Sequence, residues 1–280
     1  MERTAQYVSV VTPSTLAMIQ KSISKGLDVV EASLDLGLTT NVVQLRPEEI
    51  SFVVPGEDEP IPFPQSFKEK NKVCYAIFGG RVFPLKLFSE ETQLYYKLVP
   101  TSWRPILRIS ATPMHKKTFL DRLEREKVRG FVFDGGTGLG YSAIIASETA
   151  SRVTTVEWDP YVLDMASYNP HSRVLFESPN IDLREGDITE EVLSFEDRFF
   201  DCVIQDGGTP KSSGEFFSAA HCGELYRVLR SGGRLFFYLP MHGRTKGRDF
   251  GAEHIQRLRD AGFRLQERDI EGSYAILYRP

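Results

Sequence analysis

The spacing of apolar residues changes near residue 115. Before that point, short runs rich in β-branched and aromatic residues are broken by turn residues. Tyr7 to Val11, Val42 to Leu45, Ile50 to Val54 and Val73 to Phe78 read as strands. Pro55-Gly56-Glu57-Asp58-Glu59-Pro60 reads as an exposed turn, and Phe63 to Lys72 as a polar, surface-facing stretch. Thr12-Pro13-Ser14 marks a helix start, with Pro13 at or near the first helical position.

From residue 117 strands and helices alternate. Lys117 to Arg129 reads as a helix, Phe131 to Phe133 as a short buried strand, and Ser142 to Thr149 as a helix. Val153 to Glu157 follows as a strand, Tyr161 to Tyr168 as a helix, and Ile181 to Arg184 and Asp201 to Gln205 as strands. Glu215 to Arg230 reads as one long helix, Arg234 to Leu239 as a strand and Ala252 to Ala261 as a helix. Phe263 to Ile270 and Tyr274 to Tyr278 close the chain. Alternation of this kind predicts an α/β fold, a mostly parallel sheet covered on both faces. The last two strands are joined too tightly for a parallel crossover, so they predict an antiparallel finish. The expected division is a smaller, partly β N-terminal domain of residues 1–115, followed by the sheet domain of residues 116–280.

Composition narrows the classes. Hydrophobic residues make up 41% and charged residues 26% of 280, which excludes a disordered chain. The net charge of −4 disfavours a strongly basic nucleic-acid binder, and the segment through Ser110 balances 12 basic against 12 acidic residues. Cys74, Cys202 and Cys222 form no disulfide framework or zinc pattern, so no metal is expected and a reducing cytoplasm is. No apolar run is long enough for a membrane span, and the N-terminus lacks a signal-peptide stretch.

The candidate chemistry begins at Phe131-Val132-Phe133-Asp134-Gly135-Gly136-Thr137-Gly138-Leu139-Gly140. A hydrophobic strand ends in an acid, and Gly136, Gly138 and Gly140 precede a helix. Such glycines permit a tight turn and close ligand approach, and the helix start offers unpaired N–H groups. A nicotinamide site fits poorly. The GxGxxA spacing at Gly138, Gly140 and Ala143 starts too far from the strand, and Asp134 would oppose a pyrophosphate. The Walker A lysine is absent. An acid at that place suits a ligand with a positive amine. Further acids follow the next strand ends. Glu157 can accept from ribose hydroxyls, with Trp158 beside it for an adenine face. Asp187 follows the third strand and Asp206 the fourth. All four lie where ligands bind in open α/β sheets, at the carboxyl ends of the strands.

At these residues the chain resembles the class I S-adenosylmethionine-dependent methyltransferases, from about Lys117 to Pro280. The resemblance implies a Rossmann-like domain. It implies that Asp134 and the Gly135, Gly136, Thr137, Gly138 and Gly140 backbone hold the methionine part, Glu157 the ribose, and Asp187 and Ile188 the adenine. A narrower resemblance is to a group of uncharacterised predicted archaeal methyltransferases. It rests on Ala32 to Thr40, on Ile109 to His115 and on the Gly223 to Leu229 segment. That group has Asp-Pro-Pro after the fourth strand, where this chain has Asp206-Gly207-Gly208. The fourth-strand segment also resembles the polyamine aminopropyltransferases, which use decarboxylated S-adenosylmethionine. A further alternative is a non-catalytic protein that keeps the cofactor fold as a scaffold.

Asp206 is the candidate catalytic residue, as an acceptor-positioning group or general base. The five histidines, His115, His171, His221, His242 and His254, read as surface or packing residues; only for His115, just before the sheet domain, is contact with a substrate kept as an alternative. His242-Gly243-Arg244-Thr245-Lys246-Gly247-Arg248 reads first as a solvated loop, although Lys211 to Arg248 holds seven basic and two acidic residues. The acceptor stays open among RNA, protein and small molecule, with RNA set slightly ahead; oligomeric state is not legible.

Overall fold

The computed structural model describes residues 3–65, 67–70, 72–114, 117–207, 214–239 and 249–280. They form two compact units: Met1–His115 with Tyr161–Arg173, and Lys116–Pro160 with Val174–Pro280.

The first unit is built from three antiparallel sheets and one long helix. Strands β1 (Ser9–Val11), β6 (Tyr75–Phe78) and β7 (Arg81–Pro84) form one sheet. Strands β2 (Val29–Ala32), β3 (Asn41–Arg46), β4 (Ser51–Val53) and β5 (Ile61–Pro62) form another. The third, missed from the sequence, runs through β8 (Lys86–Ser89), β9 (Leu94–Val99), β10 (Ile106–Ile109) and β11 (Thr112–Pro113). Its strands are short and interrupted by charges, which hides their alternation. Helix α1 (Pro13–Ser24) starts where expected: the Thr12 hydroxyl accepts from the Thr15 N–H and Pro13 sits in the first turn. Its Leu16, Ile19 and Ile23 face inward and join Val43, Phe52, Ile61 and Ile77 in the core.

The second unit carries one seven-stranded sheet. In chain order residues 117–185 form α2 (Lys117–Glu126), β12 (Phe131–Gly135), α3 (Tyr141–Ser147), β13 (Arg152–Glu157), α4 (Pro160–Ser167), which belongs to the first unit from Tyr161 on, α5 (Arg173–Glu177) and β14 (Ile181–Glu185). Next come α6 (Ile188–Glu191), β15 (Phe200–Gln205), α7 (Ala219–Val228), β16 (Leu229–Tyr238), α8 (Phe250–Asp260), β17 (Arg264–Asp269) and β18 (Tyr274–Tyr278). The sheet order is β14-β13-β12-β15-β16-β18-β17, parallel from β14 through β16. Both pairings of β18 are antiparallel, because it inserts between β16 and β17. Central β12 is buried on both faces, which explains its unbroken apolar run.

One expected element differs. The segment read as a single helix from Glu215 to Arg230 is a short 3-10 turn, Gly214–Phe217, followed by α7. The Ser218 hydroxyl accepts from the His221 N–H and starts a new helix, while Phe216 and Phe217 turn into the core. β16 then begins directly at Leu229, five residues earlier than its apolar pattern suggests.

Candidate functional site

Three strand-end carboxylates gather around the glycine turn. Asp134, in β12, is fully buried. Its Oδ2 accepts from the Thr155 hydroxyl at 2.7 Å, and Thr155 is linked in turn to Thr137 at 2.7 Å. Oδ1 has no hydrogen-bond partner. Burial pushes this carboxyl up to about 7, and the charges of Asp206 and Glu157 add to the effect.

Glu157, at the end of β13, is also buried. Its Oε2 accepts from the Gly138 N–H at 2.9 Å and its Oε1 from the Asp159 N–H at 3.2 Å. Burial outweighs those two donors and lifts the carboxyl to about 7. Asp206 follows β15 and is half-buried; its N–H donates to the Gly135 carbonyl at 3.0 Å. Desolvation raises its carboxyl to about 7 as well.

The turn itself is closed by its own hydrogen bonds. The Gly136 and Thr137 N–H groups both donate to the Val156 carbonyl at 3.1 Å, and the Gly140 N–H to the Thr137 carbonyl at 2.7 Å. With Gly138 held by Glu157, these four N–H groups have partners within the protein. Gly136 has φ +100°, and a Cβ there would lie 2.7 Å from the Asp206 carbonyl oxygen. The glycine is therefore required by the approach of the chain after β15. Gly140, at φ +79°, is the residue from which α3 departs.

The remaining candidates take different places. Trp158 is 59% exposed beside Glu157. Asp187 is exposed and caps α6, its Oδ1 accepting from the N–H and hydroxyl of Thr189, each at 2.7 Å. The Ile188 side chain packs into the core with Phe133 and Val156. His115, His242 and the cations Lys211, Arg244, Lys246 and Arg248 lie outside the described residues.

Sequence reasoning passed over Gln205 and its partner. Gln205 is fully buried at the end of β15, with its Nε2 3.0 Å from the His221 Nε2. Burial depresses the His221 imidazole to about 4, so the ring is neutral at physiological pH. A polar residue closing the apolar Val203-Ile204 run was the available signal. His254 is buried too, its ring 4.4 Å from that of Phe237. Among the described residues no cluster of three metal-ligating side chains occurs, and no helix is long and apolar enough to cross a membrane.

Uncharged at low pH and ionised by a nearby cation, the three carboxyls suit a ligand of fixed positive charge. The turn, with its N–H groups engaged, does not favour a phosphate.

Comparison with known proteins agrees. A family model described as a methyltransferase domain matches residues 133–237, from within β12 to near the end of β16. The uncharacterized protein MJ1233 of Methanocaldococcus jannaschii is 34% identical over 216 residues, covering 74% of this chain and 73% of that protein. Among solved structures, a spermidine synthase in complex with the transition-state analogue AdoDATO aligns with a TM-score of 0.57 at 14% identity, covering 75% of this chain and 76% of that one. The spermidine synthase of Thermotoga maritima aligns with a TM-score of 0.53, also at 14% identity, over 69% and 71% of the two chains. At that identity the likeness shows a shared fold.

Proposed function

This chain belongs to the S-adenosylmethionine-dependent methyltransferases, in one family with the M. jannaschii protein, and from that we infer that it methylates a nucleophile, borne by an RNA, beside Asp206. The observation that carries the reading is the set of three carboxyls, Asp134, Glu157 and Asp206, around one glycine turn. S-adenosylmethionine fits that set because it brings two cationic centres, a sulfonium and an ammonium, against one carboxylate. When bound it supplies an electrophilic methyl carbon. In this reading the unpartnered Asp134 Oδ1 accepts from the ammonium, and Glu157, with lone pairs beyond those used by Gly138 and Asp159, accepts from the ribose. Trp158, Asp187 and the Ile188 backbone flank the adenine. The protein's own contribution is alignment of the nucleophile. Asp206, held near neutrality by burial, accepts a proton from it or orients it.

RNA as acceptor draws support from the sequence after β15 and β16. Of the seven basic residues between Lys211 and Arg248, Arg227, Arg230 and Arg234 are paired with Asp197 and Glu224, with Asp201 and with Glu126 respectively. The other four, Lys211, Arg244, Lys246 and Arg248, follow β15 and β16 in the sequence and lie outside the described residues. Three buried free cysteines accord with a cytoplasmic setting.

Calorimetric titration with S-adenosylmethionine, its decarboxylated form and NADH tests the cofactor. Preference for the first is expected. Preference for the decarboxylated form would move the chain to aminopropyl transfer, which the spermidine-synthase fold also serves. Binding of NADH alone would overturn the reading of the glycine turn.

A further inference from the structure

The sheet β8–β11 has one covered face and one open face. Strand residues alternate between them: Tyr96, Leu98 and Leu107 are fully buried. The open face carries Lys86, Phe88, Tyr95, Lys97 and Arg108. Strand register sets Lys97 directly between Lys86 of β8 and Arg108 of β10. With neighbouring strands about 4.8 Å apart, the three cations cross the sheet within roughly 10 Å. Like charges placed opposite one another destabilise a sheet. Among the described residues none of the three pairs with a carboxylate; Arg108 meets only the Ala111 carbonyl, at 3.4 Å. The next row is aromatic. Phe88 and Tyr95 face each other, 44% and 52% exposed, with ring centroids 4.7 Å apart. The Lys97 ammonium stands 5.7 Å from the Tyr95 ring centre.

The balanced charge of the first 110 residues conceals this arrangement. From Lys72 to Arg108 there are six basic residues and two acidic ones, Glu90 and Glu91, both in the β8–β9 turn. A row of unpaired cations beside a close, exposed aromatic pair, its rings inclined at 45°, matches a strand of phosphates whose bases are free to stack. We propose that this open face binds single-stranded RNA, with Lys86, Lys97 and Arg108 on the phosphates and Phe88 and Tyr95 against the bases. The proposal rests on the reading that the acceptor is an RNA. A duplex would meet the cations but leave the rings without unstacked bases.

Fluorescence anisotropy with a labelled oligouridylate, titrated over a range of salt, tests it. The triple variant Lys86→Ala/Lys97→Ala/Arg108→Ala is expected to bind at least about tenfold more weakly, with a log–log salt slope shallower by about 2. Phe88→Ala/Tyr95→Ala is expected to lose about fivefold or more while keeping the wild-type slope. Both should bind S-adenosylmethionine as the wild type does, and the triple variant should melt no lower, since it removes a repulsive row. Equal RNA affinity in the wild type and the triple variant would overturn the surface and leave the acceptor reading standing. Wild-type protein that binds polyglutamate as tightly as the oligouridylate would also overturn it, in favour of an acidic protein partner. Failure of the wild type to bind RNA, with methyl transfer to a protein or small molecule, would remove both.

Discussion

At the scale of single residues, Glu157 does two things at once. Its carboxylate fastens the Gly138 N–H to the end of β13, and in the proposed site it also receives the ribose. Glu157→Gln keeps an acceptor for Gly138 but removes the charge. It is expected to weaken S-adenosylmethionine binding by about 1.5–3 kcal/mol, roughly ten- to hundredfold. The sign of the pH effect follows from the raised carboxyls. In the free protein Asp134, Glu157 and Asp206 each titrate near 7. Their contribution to stability is complete below the ordinary carboxyl range and is lost as pH rises through about 7. A cationic ligand binds the ionised forms, so its affinity should increase from pH 5.5 towards 7.5, by up to about tenfold per pH unit for each proton released. Calorimetry in buffers of different ionisation enthalpy would count those protons, with fewer expected for Glu157→Gln. A flat affinity across that range would contradict the cationic-ligand site.

At the scale of elements, the glycine turn is a junction between strands as well as a ligand loop. Gly136→Ala places a Cβ within 3 Å of the Asp206 and Gly207 backbone at a left-handed φ. Strain of about 1–3 kcal/mol is expected, together with displacement of Asp206. Gly140→Ala, also at a left-handed φ, meets the buried Leu175 side chain rather than backbone. Thermal melts and cofactor titrations should therefore show the larger combined loss for Gly136→Ala; the reverse order would refute the junction. Much of this architecture was readable, because β12, β13 and β15 are buried on both faces and announce themselves as apolar runs ending in acids. The order of the last strands was not, since nothing local tells β18 to insert inside β17. Nor was the break at Ser218, where one serine within a helix-like pattern decides the matter by capping. Gln205 escaped notice because its partner, His221, is sixteen residues away.

At the scale of the whole molecule, the segment 161–173 is built into the unit formed by the first 115 residues. The Ser167 carbonyl accepts from the Gln6 N–H at 2.8 Å, the His171 Nε2 lies 3.2 Å from the Leu36 carbonyl, and the Tyr161 and Tyr168 rings meet Tyr96 and Phe83. A chain beginning at residue 117 loses all of these at a stroke. Hydrogen exchange is expected to accelerate across 161–173 in that truncated protein, relative to the full chain. Equal protection in the two would show that the segment does not depend on the first 115 residues for its order.

That threading also bears on descent. Joining the first half of one homologue to the second half of another at residue 115 would graft a foreign 161–173 onto each parent's sheets. A workable hybrid must exchange that segment too, with joins after 115, 160 and 173. The first 115 residues and the segment 161–173 are thus bound to change together, and a substitution at Tyr96 or Phe83 has its compensating partner within a stretch of chain that lies, in sequence, between two strands of the other sheet.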